Sequence, residues 1–282
     1  MTVAETLSVD GYLVTSGTTR QIETRDGLYR TTPMRGSDTS VYGRHGVLPG
    51  SRRRRDAGGF TVSTWWWGVD RDDAERQFEQ LLRAATPTHR LATWVRGLGD
   101  GTPRTCAGRV VDAVEPEDLS LGQGFRARLA VQVPAGFWTD TTDTTDATPA
   151  GVVLPADLLL TSKARATLEM GDLRYLIVGP VTNPQVLVTG DLAPGQSFTW
   201  AGIVPADCTL TVNTGTWTVT GAGSSGGTPF VPSLDLLSWT GDRILEVPPA
   251  APGQTCPSVR LLGSQAGTGT QLSIVGRASF LT

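Results

Sequence analysis

Alternation of hydrophobic and polar residues is the clearest pattern along this chain. From Phe125 to Val133 every second residue is apolar, whereas Arg126, Arg128 and Gln132 fall between them. A period of two residues predicts a β-strand that packs one face in a core and exposes the other face to solvent. Similar short segments recur along the sequence between turns rich in Gly and Pro. The pattern therefore predicts a protein built mainly from antiparallel strands.

One segment follows a helical period instead. Its apolar positions are Ala74, Phe78, Leu81, Leu82 and Ala85. Asp70 is a suitable N-cap, and Pro87 would end the element. We predict a helix over residues 71–85. The run Phe60–Trp66, which precedes the helix, carries the β-branched and aromatic residues expected of a half-buried strand.

Further strands are predicted on both sides of a polar segment. In the N-terminal half they are Leu7–Val14, Gln21–Tyr29, Arg90–Val95 and Arg104–Val114. In the C-terminal half they are Arg174–Val178, Gln185–Thr189, Ser197–Ala201, Cys208–Asn213, Thr216–Thr220, Arg243–Val247 and Gln271–Val275. Short strands at such regular intervals are typical of an antiparallel sandwich.

Composition agrees with a mainly-β protein of two domains. The 282 residues include 34 Gly and 18 Pro, and residues 139–150 consist almost entirely of Thr, Asp and small residues. We predict a domain over 1–138, a mobile Thr/Asp linker over 139–150 and a β-sandwich over 151–282, with the two domains folding separately.

The net charge and the N-terminal sequence limit the kinds of partner and the compartment that we expect for this protein. The net charge is −3 and the pI is near 5.4, so no global basic field would hold a nucleic acid or an anionic membrane. The N-terminal residues do not resemble a signal peptide, and no segment reaches the roughly 20 apolar residues that span a bilayer. We expect a soluble protein made in the cytoplasm without an export signal.

Candidate catalytic and metal-binding groups are isolated in the sequence. His45 and His89 lack a partner at hydrolase or metal-site spacing, and the three cysteines are widely separated. The series from Asp140 to Asp146 lacks the Gly and distal Glu of a calcium loop. Gly221–Gly226 matches a dinucleotide fingerprint, but Pro229 prevents the helix that such a site needs. We predict no catalytic residue, cofactor or metal, and no enzymatic activity.

An ordered set of features then resembles a known family. In chain order, the features are Asp10-Gly11-Tyr12, the turn Gly43–Gly50, the basic run Arg52–Arg55, the helix ending at Phe78–Leu82, the pair Phe137-Trp138, and Val178–Pro184. This order resembles the distal tail proteins of siphophages, the Dit-type siphovirus tail components. The resemblance covers most of the chain.

The resemblance implies structural work in a virion. It implies an N-terminal β domain with one helix that forms a homohexameric ring at the tail tip, and a C-terminal sandwich like galectins or carbohydrate-binding modules. The ring would join the tail tube protein to the tail-tip hub and receptor-binding proteins of the baseplate. Binding to a membrane or to a specific nucleic acid sequence is not implied.

Candidate interface residues cluster before the helix. They are Arg44, His45, Arg52, Arg53, Arg54, Arg55, Trp65 and Trp67. Alternation places Trp65 and Trp67 on one face of their strand and Trp66 on the other, and Trp is enriched at interfaces. The arginine run fits an interface patch better than sequence-specific nucleic-acid recognition, because the protein as a whole is acidic.

An alternative function is a carbohydrate-binding module that adheres to the host cell wall. Its motivation is the predicted sandwich together with Trp200, Trp217 and Trp239. Trp200 and Trp217 lie in predicted alternating strands, where core packing is expected. We therefore expect weak or no glycan binding from the sequence alone.

Overall fold

The chain folds as two compact units in the computed structural model. The structure describes residues 6–15, 20–26, 34–35, 39–40, 47–48, 54–55, 57–98, 102–118, 124–189, 196–240, 245–251, 253–264 and 269–281. One unit comprises Met1–Thr141 with Leu281–Thr282, and the other comprises Thr142–Phe280. The fold is mainly β, as the alternating pattern predicts.

The first unit contains twelve of the described strands and one α-helix. The strands are β1 (Thr6–Val9), β2 (Tyr12–Leu13), β3 (Arg20–Asp26), β4 (Met34–Arg35), β5 (Thr39–Ser40), β6 (Val47–Leu48), β7 (Arg54–Arg55), β8 (Gly58–Trp67), β9 (Ala92–Gly97), β10 (Pro103–Asp118), β11 (Gly124–Val133) and β12 (Trp138–Asp140). The helix is α1 (Arg71–Ala85).

An antiparallel sheet forms the body of the first unit. Its strand order is β2-β1-β9-β10-β11-β8-β3, and β12 also pairs with β10. The strand β11 lies between β8 and β10, in register from Gly124 opposite Trp67 to Val133 opposite Gly58. Short two-stranded sheets join β4 to β7 and β5 to β6. The apolar positions of β11 are buried, which confirms the predicted alternation.

The helix α1 has the predicted bounds and packs on one face of this sheet. The Asp70 carboxylate accepts a hydrogen bond from the backbone N–H of Asp73 at 2.8 Å, which caps the first turn. Phe78 packs edge to face against Trp66, with ring centroids 5.5 Å apart, and Leu81 is fully buried. Leu82 is only half-buried, so the buried stripe is narrower than the sequence period suggests.

The second unit contains fourteen strands within its described residues. They are β13 (Thr144–Ala147), β14 (Ala156–Leu159), β15 (Arg174–Val178), β16 (Val181–Thr189), β17 (Ser197–Trp200), β18 (Ile203–Val204), β19 (Thr209–Asn213), β20 (Thr218–Ala222), β21 (Ser224–Ser225), β22 (Thr228–Pro229), β23 (Leu237–Thr240), β24 (Ser258–Ser264), β25 (Gln271–Gly276) and β26 (Ser279–Phe280). Single turns of 3-10 helix occur at Thr161–Lys163 and Leu234–Leu236.

Two antiparallel sheets make up the core of the second unit. One has the order β13-β25-β15-β19-β20, and the other has the order β14-β24-β16-β17-β23 with β18 added beside β16. Tyr175 from the first sheet meets Phe198 from the second edge to face, with ring centroids 5.2 Å apart. The aromatic contact joins the inner faces of a sandwich, as the spacing of the C-terminal strands predicts.

The prediction of a mobile linker over 139–150 disagrees with the observed strand at Thr144–Ala147. These residues form β13, which pairs antiparallel with β25. Asp146 is buried within this strand and forms an ion pair with Lys163. A polar sequence can therefore be ordered here, because a partner from elsewhere in the chain neutralises its carboxylate. The separate folding of the two domains stays a prediction.

Candidate interaction surfaces

The structure describes part of the predicted interface. Arg44, His45, Arg52 and Arg53 lie outside the described residues, as does the turn Gly43–Gly50 apart from the short strand β6. For Arg54 and Arg55, which form β7, the structure describes the backbone pairing with β4. Trp65 and Trp67 are described with their side chains, and the geometry of this surface is built from them.

The tryptophans of β8 divide between two faces, as alternation predicts. Trp66 is fully buried beneath α1, whereas Trp65 and Trp67 are half-buried on the opposite face. The rings of Trp65 and Trp67 are stacked, with centroids 5.7 Å apart and planes inclined by 9°. Such a stack holds two large side chains in one orientation and presents a continuous aromatic edge.

The side chain of Arg126 lies beside this aromatic stack. The guanidinium of Arg126, directly across from Trp65 on β11, lies 5.9 Å from the centroid of the Trp65 ring. This distance is within the range of a cation–π interaction. Arg128, two residues further along β11 on the same face, is exposed. On the other side of β11, Glu117 of β10 pairs in register with Arg126.

We call the group formed by Gln21, Trp65, Trp67, Arg126 and Arg128 the Trp65 surface. Gln21 belongs to it because it pairs in register with Trp65 and is exposed. Tryptophan and arginine are among the residue types enriched at the positions that contribute most binding energy in protein interfaces. This composition is typical of a protein–protein contact, and none of the five residues is suited to acid–base catalysis.

A second aromatic surface lies on the C-terminal unit. Trp217 and Trp239 are half-buried, and their ring centroids are 5.1 Å apart with planes inclined by 55°. Trp200 is buried, as predicted, and its indole N–H donates to the carbonyl of Ser233 at 3.0 Å. The expectation that Trp217 packs in the core is wrong. It occupies a turn between β19 and β20, with φ +51°, so the strand alternation does not extend to it.

The buried cluster around Lys163 was not predicted from the sequence. Lys163 is fully buried, and its ammonium donates to the carboxylate of Asp146 at 2.9 Å and to the carbonyl of Thr144 at 3.2 Å. The hydroxyl of Ser162 donates to the same carboxylate at 2.6 Å. A signal was present in the sequence, because Lys163 is the one lysine in a chain that otherwise uses arginine.

The charge state of Asp146 follows from these contacts. Burial acts to raise the pKa of Asp146, but the hydrogen bonds from Ser162 and the ion pair with Lys163 outweigh it. The pKa of Asp146 therefore lies below its ordinary value, which favours the ionised carboxylate. The ammonium is buried, the two hydroxyl groups are half-buried, and these groups bind one another, so the role of the cluster is structural.

Asp143, another aspartate of the predicted linker, also binds cationic side chains. Asp143 accepts hydrogen bonds from Arg277 at 2.8 Å and from Arg174 at 2.7 Å. The hydrogen bond from Arg277 is the main cause that lowers the pKa of Asp143. Among the described residues, no group of three or more His, Cys, Asp or Glu is placed to hold a metal ion. In the same part of the chain, no helix has the length and hydrophobicity required to cross a bilayer.

Comparison with solved structures shows which known fold this chain adopts. No protein-family model matches the sequence, and no curated protein matches it. The chain is similar to the crystal structure of the SPP1 Dit (gp 19.1) protein, with a TM-score of 0.61 and 12% sequence identity over 98% of this chain and 99% of that chain. The fold is that of a siphophage distal tail protein. The resemblance read from the sequence is thereby confirmed for the fold.

Two further similarities are to chains of the phage P2 baseplate. They come from structures of its activated conformation with Ca and with Sr. Each has a TM-score of 0.43 and 9% identity, over 97% of this chain and 98% of that chain. The SPP1 protein is described as a paradigm of the hub adsorption apparatus in phages that infect Gram-positive bacteria.

Proposed function

We propose that this protein is a structural component of a siphophage tail tip, where it acts as a ring-forming adaptor. The observation that supports the proposal most is the fold similarity to the SPP1 Dit protein, because it extends over 98% of this chain and includes both units. The role is non-enzymatic. In the virion, the adaptor joins the tail tube protein to the tip hub and the receptor-binding proteins.

In this proposal, six copies meet through their N-terminal units. The Trp65 surface is one contact of each copy, because its aromatic stack and guanidinium groups are half-buried or exposed in the single chain. A ring needs a second, different surface on each copy, since a closed cyclic assembly with more than two subunits uses head-to-tail contacts. We also propose that the candidate residues Arg44, His45 and Arg52–Arg55 take part in the contact between neighbouring copies.

Mutation of the two stacked tryptophans tests the interface. Replacing Trp65 and Trp67 together with Ala removes the stack and the cation–π partner of Arg126. The expected result is that self-association weakens at least about tenfold, because aromatic anchors dominate interface energies. Native mass spectrometry over a range of protein concentrations measures the effect on the full chain.

The matched control is Val153→Ser, which changes an exposed apolar residue of the second unit and should leave the assembly intact. A doubly substituted protein that stays folded and assembles as well as the unmodified chain would remove the Trp65 surface from the interface. A folded, unmodified chain that stays monomeric at every concentration would contradict the ring itself.

A further inference from the structure

The paired tryptophans of the second unit are placed where the two sheets end. Trp217 lies in the turn that precedes β20, the edge strand of one sheet, and Trp239 lies on β23, the edge strand of the other. Their ring centroids are 5.1 Å apart, and both rings are partly open to solvent. The pair therefore presents two inclined aromatic walls at the side of the sandwich.

Backbone preference does not account for a tryptophan at position 217. Its φ of +51° lies in the left-handed region, which favours Gly, Asn or Asp. The turn is held by the side chain of Asn213, which accepts hydrogen bonds from the backbone N–H groups of Gly215 at 3.0 Å and Thr216 at 3.3 Å. A bulky residue in such a conformation is more often found at functional sites than elsewhere.

Polar groups next to the pair are almost all uncharged hydroxyls. Thr216 and Thr218 flank Trp217, are exposed, and share a hydrogen bond of 2.9 Å between their hydroxyl oxygens. Ser238 and Thr240 flank Trp239 and are also exposed. Between Thr209 and Thr240 the sequence contains a single charged residue.

One carboxylate lies beside the turn. A Cβ atom added at Gly215 would lie 2.6 Å from an oxygen of Asp172, which shows how close this carboxylate is to the turn. Asp172 is exposed and forms no ion pair with the described residues. Its oxygens are free to accept hydrogen bonds from a ligand that carries hydroxyl groups.

We propose that these groups form a binding site for a neutral glycan, which we call the Trp217 site: Trp217, Trp239, Thr216, Thr218 and Asp172. The apolar face of a pyranose ring stacks on an indole, and its hydroxyl groups bind the threonine hydroxyls and the carboxylate. Because the two rings are inclined by 55°, they contact neighbouring sugar units whose mean planes are not parallel. The site thus selects a twisted chain of uncharged sugars.

The charge of the surroundings favours a glycan over a protein partner. Protein interfaces are enriched in both tryptophan and arginine, and the Trp65 surface contains both. The Trp217 site has hydroxyl groups in that position and one acidic group, which suits a ligand rich in hydroxyls and without negative charge. The proposal does not depend on the assembly of a ring, because every group in the site comes from one unit.

The test is a titration of the full-length protein with neutral hexasaccharides, namely maltohexaose, cellohexaose and β-1,4-galactohexaose. The signals are intrinsic tryptophan fluorescence and isothermal titration calorimetry. The expected result is saturable binding of at least one of them with a Kd of about 1 mM or tighter. Trp217→Ala and Trp239→Ala should each weaken that binding at least about tenfold, whereas Trp217→Tyr should weaken it less, because stacking is retained.

Val153→Ser is the matched control, since it changes an exposed residue of the same unit that belongs to neither aromatic surface and should leave glycan affinity unchanged. Thermal melts of each variant separate loss of binding from loss of folding. The proposal is overturned if none of the three glycans binds saturably, or if folded Trp217→Ala and Trp239→Ala proteins bind as tightly as the unmodified chain. Native mass measured on the same samples shows whether assembly is retained, so failure of this site is distinguishable from failure of the adaptor function.

Discussion

Lys163 is the one lysine of the chain, and the fold buries its side chain completely. Around its ammonium, the structure places the carboxylate of Asp146, the carbonyl of Thr144 and two hydroxyl groups. An ammonium in this position is stable because every donor has an acceptor, and the carboxylate balances its charge. The same contacts make the amine inaccessible to reagents in solution.

The rate at which the Lys163 amine is acylated measures how accessible it is to solvent. An amine-reactive ester added to the folded protein should modify the α-amino group at the chain terminus and leave Lys163 unmodified. After unfolding in denaturant, Lys163 should react as well, because its amine is then in water. Peptide mass mapping distinguishes the two positions, and rapid acylation of Lys163 in the folded protein would show that the cluster is open to solvent.

Loss of the charge on Asp146 should destabilise the second unit. Asp146→Asn leaves the buried ammonium without a counter-charge, which typically costs about 3–5 kcal/mol of unfolding free energy. The matched control is Asp157→Asn, because Asp157 is exposed and pairs with the exposed Arg260 at 2.6 Å. Exposed pairs contribute little, so the control should lose only a small fraction of that stability in denaturant melts. Equal losses in the two variants would contradict the structural role of the buried pair.

The pH dependence of stability follows from the lowered pKa of Asp146. A carboxyl group whose pKa is lower in the folded state contributes stability above its unfolded value, here 3.8, and loses it as the pH falls through the folded pKa. The unmodified chain should therefore lose more stability than Asp146→Asn when acidified below this value. Urea melts of both proteins at matched pH values measure the difference, and parallel curves would exclude Asp146 as a source of acid sensitivity.

At the scale of elements, the helix α1 depends on a narrow apolar stripe. Phe78 contacts Trp66 and Phe125, and Leu81 is fully buried, whereas Leu82 is half-buried. Truncating Phe78 or Leu81 to Ala should cost about 2–5 kcal/mol, because each leaves a cavity beneath the helix. Leu82→Ala is the control and should cost less. A loss below about half a kcal/mol for Phe78→Ala or Leu81→Ala would show that the helix does not pack on this sheet.

The elements that the sequence predicts well are those with a local signal. The alternation of β11 and the period and N-cap of α1 are contained within their own residues, and both elements have the expected place. The strand β13 was missed because the partner of Asp146 lies seventeen residues further along the chain. Trp217 was misplaced because the turn geometry, and not the residue sequence, decides where the alternation of β19 ends.

At the scale of the whole molecule, the two units carry different kinds of surface. The first unit presents a stacked tryptophan pair beside guanidinium groups, and the second presents an inclined tryptophan pair beside hydroxyl groups. The first combination suits contact with protein, and the second suits contact with an uncharged glycan. The sequence predicted the first pair because alternation fixes its face, whereas the second required the turn and the two sheet edges to be known.

The central claim is that this chain is a ring-forming tail adaptor, and the most direct test is negative-stain electron microscopy of the purified full-length protein. The account predicts closed rings whose class averages show sixfold symmetry, with native mass spectrometry giving six copies for each particle. A folded protein that appears as single particles at all concentrations, or as rings of another symmetry, would contradict it.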